Sequence, residues 1–176
     1  KPSSAASDVY KRQAVQEAFS EICEIFFGTM LRCLKLGFIP ELHGQNIVLV
    51  TEQAHTVGLL LRDHDSVRIY LPWLTEQGIA DPCYLSPPNF RNRLYCQSAI
   101  ELVFYFQSLG ILVNIRAIIE SLANHYQIDE ASLWQVAYQQ LTTQLATLAL
   151  DEQRRIWLIE QLLEQPNYPY KTLLLP

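Results

Sequence analysis

The sequence predicts an α+β fold that is mainly α, with a small antiparallel β-hairpin sheet packed on a helical bundle. Three observations predict it. Apolar residues recur at helical spacing over residues 14–36. Two short apolar runs, residues 47–50 and 57–61, flank a polar stretch, as in a hairpin. From about Asn92 helix-type periodicity returns and fills most of the remaining chain.

Each element follows in chain order. The opening KPSSAASDVYKRQ carries no hydrophobic period, and SAASDVYKRQ looks like translated adapter read-through, so residues 1–13 are expected to be a non-native or disordered lead. The helix over 14–36 turns Val15, Phe19, Cys23, Phe26, Met30, Leu31 and Leu34 toward a core. Gly37 is its expected stop, with Pro40 just beyond. The hairpin turn falls within 52–56, and residues 67–71 are expected to add a third short strand. Pro72, Pro82, Pro87 and Pro88 make 72–90 a loop with short helical turns. Helices are expected over 92–109, 111–125, 129–147 and 151–164, with Asp129 and Asp151 as N-caps. Trp73, Trp134 and Trp157 read as core or interface anchors. YPYKTLLLP closes on an apolar run without a polar tail, so residues 14–176 are expected to be a domain fragment truncated at both ends.

Composition narrows the function. With 49% hydrophobic and 11% aromatic residues the chain is globular rather than disordered. A net charge of −5 without a basic stripe argues against nucleic acid. There is no unbroken apolar run long enough for a membrane span and no signal-peptide pattern, so the expectation is a cytoplasmic protein with no membrane partner. Cys23, Cys33, Cys83 and Cys96 form no CxxC pair and read as thiols in a reducing compartment.

The stretch ELHGQNIVLV, residues 41–50, sets a carboxylate, an imidazole and two amides at the mouth of an apolar run. Taken alone, HGQN could be a polar turn that satisfies local backbone groups. A hairpin centred near Ala54 and His55 changes the weighing, because it sets Asn46 opposite Asp63. Opposed residues have Cβ atoms roughly 5 Å apart, close enough for an amide oxygen and a carboxylate to share a hard cation. Mg²⁺ takes such oxygens and fills its shell with waters and substrate phosphates. Glu41 offers a third oxygen, Gly44 allows close backbone approach, and His43 can meet a substrate carboxylate. The run LLLRDHDS, read as strand, places Asp63 and Asp65 on one face and Arg62 on the other, where it is an ion-pair partner or a ligand for an anion. In kinase-like folds a loop Asn and a later strand-end Asp hold the metals on ATP. Gln45 stands near the place of the catalytic Asp and cannot act as a base, which disfavours phosphoryl transfer to an alcohol.

These residues carry a resemblance. GFIPELHGQNIVLV followed by LLLRDHDSVRIY resembles the NRPS-independent siderophore synthetases of the aerobactin-synthetase (IucA/IucC) type, whose C-terminal half carries Glu-x-His-Gly-Gln-Asn and then Arg-Asp. The resemblance covers residues 14–176, and the ending YPYKTLLLP resembles the family's late Lys-x-Leu-Leu segment. It implies the kinase-like palm of such a synthetase, working with ATP and Mg²⁺. The parent enzyme would adenylate a carboxylate of citrate or a related polycarboxylic acid and condense it with an amine, hydroxylamine or alcohol. Glu41, Asn46 and Asp63 would fall at the metal and nucleotide-phosphate positions. His43 and Gln45 would fall at the carboxylate and the reacting phosphate. Arg91 and Arg93 are candidates for the arginine that meets the substrate carboxylates, although FRNRLY also suits an ordinary helix start. Lys171 is a ligand contact or a surface lysine. Family members are often dimers, so a homodimer is a possible assembly. The family's triphosphate-binding residues lie upstream of the motif, so residues 14–176 alone are expected to be inactive. The rival readings are a small-molecule phosphotransferase with the same metal pair and a non-catalytic module that handles ferric siderophores. The family's ferric-reductase-like label fits poorly with unclustered cysteines.

Overall fold

The structure, a computed structural model, describes residues 4–85 and 94–168. Helix α1 (Ser4–Leu36) begins well before Ala14. Of residues 1–13, expected to be a non-native or disordered lead, those from Ser4 onward are helical. Residues 9–13 include Lys, Arg and Gln, good helix formers that extend a helix without needing an apolar stripe, and they are exposed. Beyond Val15 the helix turns inward. Phe19, Cys23, Phe27, Met30, Leu31 and Leu34 are almost wholly buried, each large side chain contributing about 1.5–3 kcal/mol.

Gly37 ends α1 in the left-handed region, at φ +93°. Its N–H donates to Leu34 O at 3.0 Å, and its own carbonyl accepts from Tyr70 N at 2.8 Å. The chain is thereby delivered into strand β1 (Phe38–Ile39), which pairs antiparallel with β4 (Arg68–Ile69). Tyr95 bridges in parallel on the other side of Ile69. The expected third strand therefore exists but joins β1, not the hairpin.

The hairpin itself is β2 (Ile47–Glu52) and β3 (His55–Leu61). Its two-residue turn is Gln53–Ala54, with φ of 50° and 68°, the positive values a type I′ turn demands. A bulge at Val57 shifts the register between Val50 and Thr51. Beyond it Ile47 faces Leu61, and Arg62 N donates to Asn46 O at 2.9 Å. Asn46 thus lies opposite Arg62, not Asp63: the turn is centred one residue earlier than Ala54–His55, which moves every opposite partner by two, and the bulge at Val57 restores one of the two. Ile47, Leu59 and Leu61 pack on the core, while Val48, Val50 and Leu60 stay exposed.

Helix α2 (Leu71–Glu76) opens on Pro72 in its first turn. Residues 94–98 are not helical, which corrects the expected start near Asn92: Ile69 N donates to Leu94 O and Cys96 N to Ile69 O, so this segment is used as an extended edge. The helix begins at Ala99, and Glu101 Oε2 accepts from Gln97 N at 2.6 Å. The two helices expected over 92–109 and 111–125 are one. Helix α3 (Ala99–Tyr105) runs through a π-helical segment, Phe106–Ile115, into α4 (Arg116–Tyr126). This fused helix is long and apolar enough to cross a membrane although it contains no unbroken apolar run of that length, but more than half of its apolar window is buried inside the protein.

Helices α5 (Glu130–Thr147) and α6 (Glu152–Ile159), the latter extended by a π turn over Glu160–Glu164, complete the bundle. Their N-caps are the expected ones. Asp129 accepts from Ser132 N at 3.1 Å and Asp151 from Arg154 N at 2.8 Å. Helix α5 lies along α1, tied by Gln140 Nε2 to Ser20 Oγ at 2.8 Å and Gln16 Nε2 to Ser132 Oγ at 3.1 Å. Trp73 packs edge-on against Trp157 and beneath the Arg154 guanidinium, while Trp134 packs on the core. The architecture is mainly helical with small antiparallel sheets, as expected.

Candidate functional site

The loop between β1 and β2 is anchored from below. Leu42 is fully buried. In an extended segment its burial turns the neighbours Glu41 and His43 the other way. Residues 43–46 then close a tight turn, with Asn46 N donating to His43 O at 2.8 Å. Gly44 and Gln45 are exposed at its tip, while Asn46 is only 5% exposed.

Opposite this loop, Asp63 ends the hairpin at φ 53°, ψ 81°, and a 3₁₀ turn over His64–Ser66 follows. A left-handed aspartate is uncommon and redirects the chain sharply. The two segments enclose a cleft of about 660 Å³ lined by Glu41, His43, Gly44, Gln45, Asn46, Asp63, Asp65 and Ser66. Every motif residue singled out between 41 and 46, together with Asp63, faces the same space. Asp65 also lines it, but from the 3₁₀ turn and not from a strand. Arg62 is exposed and is not part of the lining.

Within the cleft the Glu41 carboxylate is central. It lies 3.4 Å from His43 Nε2 and 3.4 Å from Asn46 Nδ2. Asn46 Nδ2 also approaches Glu41 O at 3.5 Å. With its amide nitrogen turned to Glu41, the Oδ1 of Asn46 is the atom suited to a cation. The described lining supplies three carboxylates and no lysine or arginine. Such a donor set suits a hard divalent cation. Among the described residues no three His, Cys, Asp or Glu side chains draw together tightly enough to hold a metal unaided. The fit is therefore to an ion like Mg²⁺, bound by one or two carboxylates and an amide, its remaining shell left to water and phosphate. Arg91, Arg93 and Lys171 lie outside the described residues.

One contributor was missed from sequence. Asn114, on the π-helical segment, donates through Nδ2 to Leu42 O at 2.7 Å and to Leu109 O at 2.7 Å. Its neighbour Gly110 admits Leu42 so closely that a Cβ there would sit 3.0 Å from Leu42 Cδ1. A π segment in a core helix often marks a functional site. The sequence hint was an Asn and a Gly within an otherwise apolar helix.

Comparison with known proteins places the chain in a family and a fold. A family model described as "Ferric iron reductase FhuF-like transporter" matches residues 19–176. Staphyloferrin B synthase of Staphylococcus aureus is 32% identical over 169 residues, which is 96% of this chain and 29% of that protein. The chain thus spans less than a third of that relative. The crystal structure of the petrobactin biosynthesis protein AsbB from Bacillus anthracis str. Sterne superposes with a TM-score of 0.70 at 19% identity, over 83% of this chain and 26% of the other. That likeness is one of fold.

Proposed function

We propose that this chain, which belongs to the FhuF-like family, is the cleft-bearing part of a siderophore synthetase: an ATP-dependent ligase that activates a carboxylate of citrate or a related polycarboxylic acid and joins it to an amine, hydroxylamine or alcohol. The observation that carries this reading is the meeting of Glu41, His43, Gln45, Asn46 and Asp63 on one cleft. The likeness to a staphyloferrin B synthase supports the assignment to siderophore synthesis.

Adenylation needs positioning and charge neutralisation more than a protein nucleophile. The substrate carboxylate oxygen attacks the α-phosphorus of ATP, the bond to the bridging oxygen breaks, and pyrophosphate leaves. The nucleophile then attacks the acyl carbon, loses its proton, and AMP leaves. Asn46, Asp63 and Glu41 would hold Mg²⁺, which when bound neutralises phosphate charge. His43, steadied by Glu41, would hydrogen-bond the attacking carboxylate. Gln45, at the exposed tip, can donate its amide to a phosphate oxygen but cannot remove a proton, which weighs against a phosphotransferase. Three carboxylates facing a triphosphate repel it, so arginines or lysines from outside the described residues must complete the site. The 176-residue chain by itself is expected to be inactive because the synthetases it resembles carry their triphosphate-binding residues upstream of the motif.

The family's description also mentions a ferric reductase. Here Cys23, Cys33 and Cys96 are buried. Among the described residues no three His, Cys, Asp or Glu side chains group closely enough to hold a metal ion, which does not fit the clustered cysteines that iron–sulfur ligation requires. The decisive experiment uses the complete protein that carries this chain, with ATP, Mg²⁺, citrate and hydroxylamine. AMP, pyrophosphate and a hydroxamate are expected. Asn46→Ala and Asp63→Ala should each lower kcat/KM on the order of a hundredfold. Release of ADP, or full activity in both variants, would overturn the reading.

A further inference from the structure

We infer that Asn114 is a positioning residue for this cleft: from the π-helical segment it sets the orientation of the loop that carries Glu41, His43 and Asn46. The inference rests on the reading of the cleft as the reactive centre, but its geometry stands separately. The Nδ2 amide of Asn114 donates to both Leu42 O and Leu109 O at 2.7 Å. The first bond fixes the peptide joining Leu42 to His43, and hence the direction from which His43 leaves the backbone. The second reaches five residues back along its own helix, to a carbonyl that the wider π turn displaces from ordinary α-helical pairing. One amide group thus ties an irregular turn of the core helix to the loop that bears the motif.

Two further contacts make the coupling stiff. Leu42 is fully buried against Gly110, so the loop cannot slide along the helix. The Asn114 Oδ1 lies 3.6 Å from the point where a side chain at Gly44 would begin, so the turn of HGQN rests on the same amide. His43 O in turn accepts from Asn46 N at 2.8 Å. A displacement at Leu42 therefore passes through a single peptide to His43 and through one hydrogen bond to Asn46. Loss of a merely local contact would loosen the core helix; loss of a positioning contact must loosen the loop selectively.

The test is hydrogen exchange of the 176-residue chain, followed residue by residue and corrected for intrinsic rates. Asn114→Ala should speed exchange of the Asn46 amide about five- to tenfold, the worth of one net hydrogen bond, while the amides of α1 and α5 keep their wild-type rates. Asn114→Asp keeps the shape but faces two carbonyls with a carboxylate. Its loop should be loose at neutral pH and regain protection on acidification, when the protonated carboxyl can donate again. A wild-type-like Asn46 amide in both variants overturns the inference, as does equal loosening of loop and helices. AMP formation by the complete wild-type protein is measured separately. Its failure would overturn the proposed chemistry while the exchange rates still decide the role of Asn114.

Discussion

Replacing Gly110 by alanine pits two effects of known size against each other. In an ordinary helix interior the change gains about 1 kcal/mol, because alanine restricts the unfolded chain and glycine does not. Here a Cβ would sit 3.0 Å from Leu42 Cδ1 and 3.1 and 3.4 Å from two carbons of the Phe106 ring. Something must yield by a few tenths of an ångström. Phe106 is fully buried and meets Phe27 edge-on at 6.3 Å. Leu42 is fully buried and its carbonyl is held at 2.7 Å by Asn114. Overpacking a site that cannot relax costs about 1–3 kcal/mol, so the net expectation is a loss of about 1 kcal/mol. Urea unfolding followed by circular dichroism reads it as a lower midpoint at unchanged slope. Trimming the opposing side chain, Leu42→Val in the Gly110→Ala background, should recover part of the loss, because the two sites touch. A midpoint that rises in Gly110→Ala, or a double variant whose losses simply add, would refute the claim that loop and helix are packed without slack.

Three other outcomes follow from the same geometry. Ala54 sits at φ +68°, where a non-glycine residue costs about 1–2 kcal/mol. Ala54→Gly should thus stabilise by about 0.5 kcal/mol after the added unfolded-state entropy is subtracted, and an unchanged or lower melting temperature would contradict the turn assignment. Glu21 clips the hairpin tip to α1, contacting His55 Nδ1 at 2.8 Å and accepting from Thr56 N at 3.1 Å. The His55 contact first, then the Thr56 bond, holds its carboxyl below the ordinary 4.5. A carboxyl depressed in the folded state stabilises fully above its unfolded pKa and loses that contribution as pH falls through the folded one. The stability gap between wild type and Glu21→Gln should therefore be present at pH 7 and vanish once the pH has fallen below the folded-state pKa of Glu21; a gap that survives there excludes the clip. Among the cysteines, Cys83 is exposed, while burial raises Cys23 and Cys96 to about 12 and Cys33 to about 11. Titration with a disulfide reagent at pH 8 should modify one thiol in the native protein and four after denaturation.

Much of the fold was legible because it rests on strong local signals. The stripe from Val15 to Leu34, the stop at Gly37 and the caps at Asp129 and Asp151 each combine a residue type with a position that demands it. What failed depended on distant partners. Ser98 and Glu101 form the spacing of a capping box, yet FRNRLY also suits a helix start, and the earlier start fails because the backbone around Tyr95 is used by Ile69 and not by a helix turn. Gly110 reads as a break between two helices in any local scheme. It is continuous here because Leu42, far away in sequence, fills the space and Asn114 bonds the displaced carbonyl of Leu109. The turn at Gln53–Ala54 lacks the Asn-Gly or Asp-Gly pair that normally marks a type I′ turn, so its centre could not be placed to the residue.

That last error bears on the site, since the expected pairing of Asn46 with Asp63 depended on the centre. The slip moves Asn46 opposite Arg62, and in a continuing strand Asp63 would then leave on the other face. It does not continue. The left-handed backbone at Asp63 and the 3₁₀ turn after it swing the chain back toward the loop, and the cleft forms with both Asp63 and Asp65 in its wall. The residue types on the cleft were thus foreseeable from their chemistry, while the route that brings them together was not. A strained, non-glycine conformation at a residue that also lines the cleft is the kind of cost that persists only when the surroundings enforce it. Asp63→Gly would relieve that strain while deleting the carboxylate. The variant should therefore be at least as stable as the wild type and, in the complete protein, lose citrate-dependent AMP release as Asp63→Ala does. A variant that is less stable but fully active would mean that Asp63 holds the turn and nothing more.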